Sequence, residues 1–175
     1  TIQMDLENSM VLYGSHGVCR VTGKVSRKFA DREALYYVLE PVYGGTSTVF
    51  VPVDNPTLTA KMQKILSAEE IYRLIRSMPN EEPLWIEDDA KRKEAFQRIL
   101  CSGDRVQLIL LIKTLYLRQQ TRKEQHKKPC AEDERFFKEA ERLLYEEFAY
   151  VLNIRQDQVV PFIFQQIQVE EKTSV

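Results

Sequence analysis

The sequence is poor in the side chains from which metal and disulfide sites are built. It has two histidines and three cysteines among 175 residues. His16 with Cys19, and His126 with Cys130, each supply two ligand types, but no second pair follows at a zinc-ribbon or zinc-finger spacing. Three unevenly spaced cysteines also argue against a disulfide framework and favour a reducing compartment. We expect no metal site and no other cofactor.

Segments that would direct the chain to a membrane are also missing. Residues 1–10 have no basic region followed by an apolar run, which predicts that no signal peptide is present. The longest aliphatic run, residues 106–112, is interrupted by Gln107 and is too short to span a bilayer. We therefore expect a cytoplasmic protein without a membrane partner.

The motifs of common enzymes are not found either. The sequence has no nucleotide-binding glycine loop, no nucleophile elbow and no histidine near a candidate nucleophile. His16 precedes Gly17 in a predicted turn, where a bond to the local backbone is a simpler role than general base catalysis. The paired acids Glu81–Glu82 and Asp88–Asp89 fall in a linker and at a helix start. Solvation and helix capping explain them, and we expect no enzyme.

The net charge is small, but the charges are unevenly distributed. A net charge of −1 excludes a whole-molecule attraction to nucleic acid or to an anionic membrane. Residues 81–89 carry five acids and no base, whereas residues 113–128 carry six bases and one acid. Such runs are typical of solvated helix faces, and they are also compatible with a face that binds a polyanion.

Up to about residue 55 the pattern is that of short β-strands. Residues 18–22 alternate in polarity, and residues 36–39 and 48–53 are rich in β-branched and aromatic side chains. Cys19 falls inside a strand, where a buried apolar cysteine is usual. Four or five short strands with tight turns predict a small SH3-like barrel over residues 1–55.

From residue 56 onward the apolar residues recur at helical spacing. Ser67 and Glu70 have the spacing of a capping box, which predicts a helix over 67–78 followed by an acidic linker over 79–88. Further helices are expected from Asp88 or Asp89 to Cys101, from Arg105 to about Gln120, and from Ala131, with a last helical segment near residues 160–167. The helix from Arg105 is apolar on most sides, which predicts the centre of a bundle. The fold class is therefore α+β, a β-barrel followed by an all-α domain over residues 56–175.

The single tryptophan, Trp85, lies between the acidic linker and a basic helix. A tryptophan at a domain junction is often a packing residue. An exposed tryptophan beside basic side chains can instead stack on unpaired bases while the basic groups hold phosphates. The sequence leaves both interpretations open.

With these residues identified, the chain resembles bacterial transcription factors of the CarD/CdnL type over residues 10–152. It is most similar to the versions from low-GC Gram-positive bacteria. The resemblance rests on the order and spacing of several motifs. These are VLYGSHGV (11–18), LYYVL (35–39), VPVDN (51–55), the Trp85 region, the break at Ser102-Gly103-Asp104, and ERFFKEAERLLYEEF (134–148).

The resemblance implies a Tudor-like domain that binds the β subunit of RNA polymerase, shared with the transcription-repair coupling factor. It also implies a helical domain that touches promoter DNA at the upstream edge of the bubble and tunes open-complex stability. Carried over by position, the polymerase contact falls on Arg27, Thr48, Val49, Phe50, Val51 and Pro52. The DNA contact falls on Trp85, Lys91, Arg92, Lys93 and Arg135.

The chain departs from the family pattern in two places. Phe50 stands where some relatives carry a second arginine, so apolar contact would replace a salt bridge. Between Trp85 and Ser102 the chain has 16 residues, about one helical turn more than some relatives. This spacing predicts that Trp85 lies in an extended segment before the helix.

The sequence leaves an alternative function open, a protein–protein adaptor whose helical domain binds another protein and not DNA. DNA binding by the isolated protein is expected to be weak and salt-sensitive, because few phosphates would be neutralised. A monomer is the simplest expectation, although an edge strand also permits a strand-exchanged dimer.

Overall fold

A computed structural model describes residues 9–44, 47–77, 85–163 and 165–166. The chain divides into two compact units between Ile65 and Leu66. The first unit is a β-sheet and the second is built from helices. This architecture confirms the predicted α+β class, with a small β domain followed by an all-α domain.

The first unit is a five-stranded antiparallel sheet with the strand order β4-β3-β2-β1-β5. Because the last strand pairs with the first, residues 56–65 belong to this unit and not to the helical domain in which the sequence pattern placed them. A 3-10 turn (Gly14–His16) joins the first two strands, and a short helix, α1 (Pro56–Thr59), precedes the fifth. The strands are β1 (Met10–Tyr13), β2 (Val18–Phe29), β3 (Arg32–Pro41), β4 (Val49–Pro52) and β5 (Met62–Lys64).

The hairpin of β2 and β3 is longer than the short strands that the sequence predicted. The two strands pair up to Phe29 opposite Arg32. Ala30 and Asp31 form the turn with φ angles of 46° and 64°, which is the type I′ pattern of positive φ at both central residues. Since this turn has neither glycine nor asparagine at its centre, no local sequence signal predicts that the strands continue this far.

One face of the sheet carries the core of the β unit. Cys19 is fully buried there, as predicted for a cysteine inside a strand. His16 lies outside this core and stacks on Tyr13 with 5.7 Å between the ring centroids. The buried core residues are Val11, Cys19, Val21, Tyr37, Leu39 and Val51.

The caps of the second unit confirm the predicted helix starts. Ser67 and Glu70 exchange the two bonds of a capping box at 3.2 and 3.1 Å. Asp88 and Asp104 each accept a hydrogen bond from the backbone N–H three residues on, at 2.9 and 3.2 Å. Gly103 between them is left-handed, with φ of 73°. The helices are α2 (Ala68–Ser77), α3 (Asp89–Ser102), α4 (Arg105–Glu124) and α5 (Ala131–Leu152).

A 3-10 turn (Gln156–Gln158) follows α5, and residues 159–163 are helical. Part of the predicted linker, with Pro79, Glu81, Glu82 and Pro83, lies outside the described residues, as do Phe164 and Ile167 of the last predicted segment. Within the described part of the chain, no helix is long and apolar enough to cross a membrane.

Helix α4 lies less centrally than its apolar sequence predicted. Among the described residues, α3 and α5 are the helices that pack closely on it, so one side of α4 faces the core. Val106, Tyr116 and Leu117 on its other sides are exposed. The core that α4 shares with its neighbours includes Ile71, Ile75, Phe96, Leu108, Leu111, Leu115, Phe136, Leu143 and Phe148.

A buried ion pair joins α4 to α5, and its carboxylate also binds the first residue of the helical unit. Arg105, the first residue of α4, donates from Nε to Glu147 of α5 over 2.9 Å, and a second bond joins their side chains through Nη2. The two side chains are only 10% and 1% exposed. The same carboxylate accepts the backbone N–H of Leu66 at 3.1 Å. Glu147 therefore holds α4, α5 and the entry of the chain into this unit.

Candidate functional site

Strand β4 forms one edge of the sheet in the described residues. The N–H of Val53 donates to the carbonyl of Leu35 at 3.0 Å. Because hydrogen-bonded pairs alternate along an antiparallel ladder, Val51 and Val49 also turn their backbone groups toward β3. Phe50, between them, turns its N–H and C=O away from the sheet, where a partner strand can reach them.

The predicted contact residues of this edge do not all face outward. The side chain of Val51 is fully buried, and Val49 packs against the same core. Thr48 is exposed directly before the strand. Pro52 occupies an outward position, where a proline is tolerated because the N–H it lacks would have no partner in the sheet. Thr48, Phe50 and Pro52 therefore supply the accessible surface, and the two valines hold the strand in place.

Phe50 belongs to a row of aromatic rings on the outer face of the sheet. The ring of Tyr36 meets the rings of Phe50 and Phe29 edge-on, at 6.4 and 5.5 Å between centroids. The guanidinium carbon of Arg27 lies 4.9 Å from the centroid of the Phe50 ring. Phe29 is 54% exposed, and Tyr36 and Phe50 are half-buried. A contiguous group of large apolar side chains that water can reach is typical of a binding surface. We call Arg27, Phe29, Tyr36 and Phe50 the aromatic patch.

Trp85 lies outside α3, four positions before the first residue of this helix, as the spacing predicted. Its ring is half-buried and packs on the helical core through Phe96, with 6.5 Å between ring centroids. The guanidinium carbons of Arg92 and Arg118 lie 4.4 and 4.3 Å from the centroid of the ring. Trp85 is thus a packing residue whose ring also contacts two guanidinium groups, one from α3 and one from α4. We call Trp85, Arg92, Phe96 and Arg118 the tryptophan cluster.

The two arginines of the tryptophan cluster are held differently. Arg92 donates to the carbonyl of Ile86 at 3.0 Å and to the carboxylate of Asp89 at 2.6 Å, and its side chain is 16% exposed. Arg118 contacts the ring, and its Nε is buried without a hydrogen-bond partner among the described residues. Arg92 is therefore fixed by several bonds, whereas Arg118 depends on the ring.

The other bases predicted to contact DNA take different positions. Lys91 is exposed on α3, and its ammonium makes no ion pair within the described ranges. The ammonium of Lys93 lies 2.9 Å from the carboxylate of Glu132, which connects α3 to α5. Both partners of this pair are substantially exposed, so the pair adds little stability.

Arg135 joins the tryptophan cluster indirectly. Its guanidinium carbon lies 5.3 Å from the ring centroid of Phe136. Phe136 in turn packs edge-on against Phe96 at 5.5 Å, and Phe96 contacts Trp85. The structure therefore places Arg92, Arg118 and Arg135, basic groups from three helices, around the packed rings of Trp85, Phe96 and Phe136.

The sequence pattern identified Arg118 only as one of the bases in residues 113–128. Its contact with Trp85 depends on the packing of α4 against α3, which no local spacing reveals. Another base of this run, Arg122, donates to the carbonyl of Lys128 at 3.0 and 2.8 Å and so orders the loop after α4. The run is therefore not one uniform polyanion-binding face.

Metal chemistry finds no support in the described ranges, where no group of three or more potential ligands occurs. Cys19, Cys101 and Cys130 form no disulfide bond with one another. The outward-facing β4 edge, the aromatic patch and the tryptophan cluster are surfaces suited to binding.

Residues 7–66 match the family of CarD-like/TRCF RID domains. This match covers all five strands of the β unit and ends where the helical unit begins. The β unit is therefore a CarD-like/TRCF RNA polymerase-interacting domain, and the aromatic patch and the β4 edge lie within it. No curated protein matches the chain.

Proposed function

We propose that this chain regulates transcription by binding the β subunit of RNA polymerase through its β unit and promoter DNA through its helical unit. The observation that supports this most is the RNA polymerase-interacting domain family of residues 7–66, combined with the open β4 edge inside it. The protein would act in the cytoplasm of a bacterium of the low-GC Gram-positive type, as a monomer and without catalytic turnover.

The β4 edge and the aromatic patch offer complementary contacts to polymerase. The outward N–H and C=O of Phe50 can extend a partner sheet by main-chain hydrogen bonds. This extension is short, because Pro52 has no N–H to continue it. The patch adds apolar area, and Arg27 adds a positive charge at 4.9 Å from the Phe50 ring. The matching surface of the β subunit should therefore be an edge strand with an acidic side chain beside it.

The tryptophan cluster supports contact with promoter DNA near the upstream edge of the bubble, where unpaired bases and phosphates lie close together. A tryptophan ring can stack on an unpaired base, and neighbouring arginines can bind phosphate. Since the cluster has few cations, it would bind DNA weakly on its own. Polymerase binding would supply the local concentration, and stacking on Trp85 would slow the closure of the bubble.

Trp85→Ala is expected to shorten the lifetime of promoter open complexes by about 5-fold or more, because stacking of a base on an aromatic side chain contributes ~1–3 kcal/mol. The lifetime is measured as the decay of open complexes after addition of a competitor, with polymerase saturated by the protein. Trp85→Phe, which keeps a ring, is the matched control and should lose less. An unchanged lifetime for Trp85→Ala, with polymerase binding and folding intact, would show that Trp85 does not stabilise the open complex.

An apolar cleft in the helical unit supports a second candidate function, the protein–protein adaptor. The cleft has a volume of ≈ 570 Å³ and lies between α4, α5 and the helical residues after position 158. Apolar grooves of this kind accept the apolar face of a partner helix. Its lining includes Ile109, Ile112, Tyr116, Phe137, Tyr145 and Val160.

Tyr116→Glu separates the two candidates, because Tyr116 is exposed at this cleft and belongs to neither the tryptophan cluster nor the β unit. If promoter DNA is the target of the helical unit, Tyr116→Glu should leave the open-complex lifetime unchanged. Loss of the regulatory effect in Tyr116→Glu, together with full activity of Trp85→Ala, would instead establish the adaptor. Both variants are compared in the same decay assay.

A further inference from the structure

The unequal anchoring of the two arginines on Trp85 has a functional consequence. We propose that Arg118 is a displaceable cover on the Trp85 ring, which an unpaired nucleobase replaces, while Arg92 stays in place. This inference rests on the proposed contact between Trp85 and promoter DNA. It assigns Arg118 the role of a specificity-determining residue, which the match of the β unit does not address.

Arg92 is unsuited to leaving the ring. Its guanidinium donates to the carbonyls of Ile86 and Glu87 at 3.0 and 3.4 Å and to Asp89 at 2.6 Å. These acceptors lie in the segment that begins directly after Trp85 and in the first turn of α3. Removing Arg92 from the ring would therefore break the hydrogen bonds that hold this segment, so Arg92 positions the tryptophan.

Arg118 has the opposite properties. It approaches the ring from α4, at 4.3 Å from the centroid. Its Nε is buried with no hydrogen-bond partner in the described part of the chain, and an unsatisfied buried donor is costly. Moving the guanidinium outward restores its hydration, and this gain offsets part of the lost cation–π contact. A small net cost of displacement is what a replaceable cover requires.

The Trp85 ring can stack only on unpaired bases, and the need to displace Arg118 sets how strongly it favours them. A base inside an intact duplex has both faces covered by its neighbours and has no free face to exchange with the guanidinium. A base at a junction between paired and unpaired DNA has such a face and can stack on the ring once Arg118 has moved. Arg118 therefore lowers the affinity for unpaired bases, because the guanidinium must first leave the ring. Binding to fully paired DNA relies on phosphate contacts and does not require this movement.

Trp85 is the single tryptophan of the chain, so the fluorescence of the full-length protein reports on this ring alone. In the free protein, Arg118→Ala is expected to increase the quenching of Trp85 by acrylamide. Arg118→Lys keeps the charge and the aliphatic stem but not the planar group, and should also increase it. Arg122→Ala, which removes an arginine of the same helix that bonds the Lys128 carbonyl, should not.

DNA titrations test the displacement itself. A forked duplex and a fully paired duplex of equal length are titrated at one salt concentration, with Trp85 fluorescence and anisotropy of labelled DNA as readouts. Arg118→Ala should raise the ratio of fork affinity to duplex affinity by about 2- to 5-fold, because the variant no longer carries the small net cost of moving the guanidinium off the ring. Arg122→Ala should leave the ratio unchanged, because Arg122 bonds the Lys128 carbonyl and is not part of the tryptophan cluster.

The outcomes separate this inference from the proposed function. If the fork quenches Trp85 in the wild type but Arg118→Ala leaves the ratio unchanged or lowers it, Arg118 is not a cover. Unchanged acrylamide quenching in Arg118→Ala leads to the same conclusion. If the fork alters Trp85 fluorescence in no variant, while polymerase binding is intact, the DNA contact of Trp85 fails and the displacement fails with it.

Discussion

Replacing Glu147 by alanine is expected to lower the free energy of unfolding of the helical unit by about 3–5 kcal/mol, the usual effect of removing one partner of a buried ion pair. The loss leaves Arg105 charged at 10% exposure and without its carboxylate. It also leaves the N–H of Leu66 without the acceptor it has at 3.1 Å. Both effects act at the point where α4, α5 and the start of the unit meet.

The measurement is urea unfolding followed by Trp85 fluorescence, since this single tryptophan lies in the helical unit. Glu69→Ala is the matched control, because Glu69 pairs with Arg73 at 2.8 Å on the exposed surface of α2. Its expected effect is under ~1 kcal/mol. A cost for Glu147→Ala no larger than that for Glu69→Ala would show that the buried carboxylate does not organise this unit.

Arg27→Glu is expected to weaken binding to RNA polymerase by about 30-fold, which corresponds to about 2 kcal/mol, the scale of an interface hot spot. The substitution places a carboxylate near the Phe50 ring, whose negative face attracted the guanidinium and repels an anion. It also presents a negative charge to the acidic surface expected on the partner. Affinity is measured by titrating core polymerase into the labelled full-length protein at fixed salt.

Lys24→Glu provides the matched control for this charge reversal. Lys24 is also on β2, but its ammonium lies over the ring of Tyr37 at 5.3 Å, and Tyr37 belongs to the core face of the sheet. Since side chains alternate along a strand, Lys24 and Arg27 lie on opposite faces. A similar loss in both variants would indicate only long-range electrostatic attraction and would contradict docking through the aromatic patch.

Much of the fold could be predicted because its signals are local. The capping box at Ser67 and the break at Gly103 each depend on side chains within a few positions, and they set the helix boundaries correctly. The long β2–β3 hairpin could not be predicted, because the Ala30–Asp31 turn has no glycine. The pairing of β5 with β1 was missed for a different reason, since a three-residue strand after α1 has almost no periodicity to detect.

The candidate site was predictable to a similar extent. Trp85 and Arg92 were both named from the resemblance, but the contact between them is seen only in the structure. Arg118 and Phe29 were missed because their contacts depend on helix packing and on the length of a hairpin. The resemblance also placed Val49 and Val51 among the contact residues, whereas the ladder register turns both side chains toward the core.

Docking of the β4 edge on RNA polymerase is tested most directly by a site-specific crosslink from this edge in a polymerase–promoter complex. A photoreactive amino acid replaces the exposed Thr48 just before β4, and a parallel sample carries it at the exposed Lys64 on β5, the opposite edge of the sheet. If the β4 edge docks on polymerase, position 48 captures the β subunit of RNA polymerase and position 64 does not. Capture from position 64 alone, or of no polymerase subunit from either position, would contradict this docking.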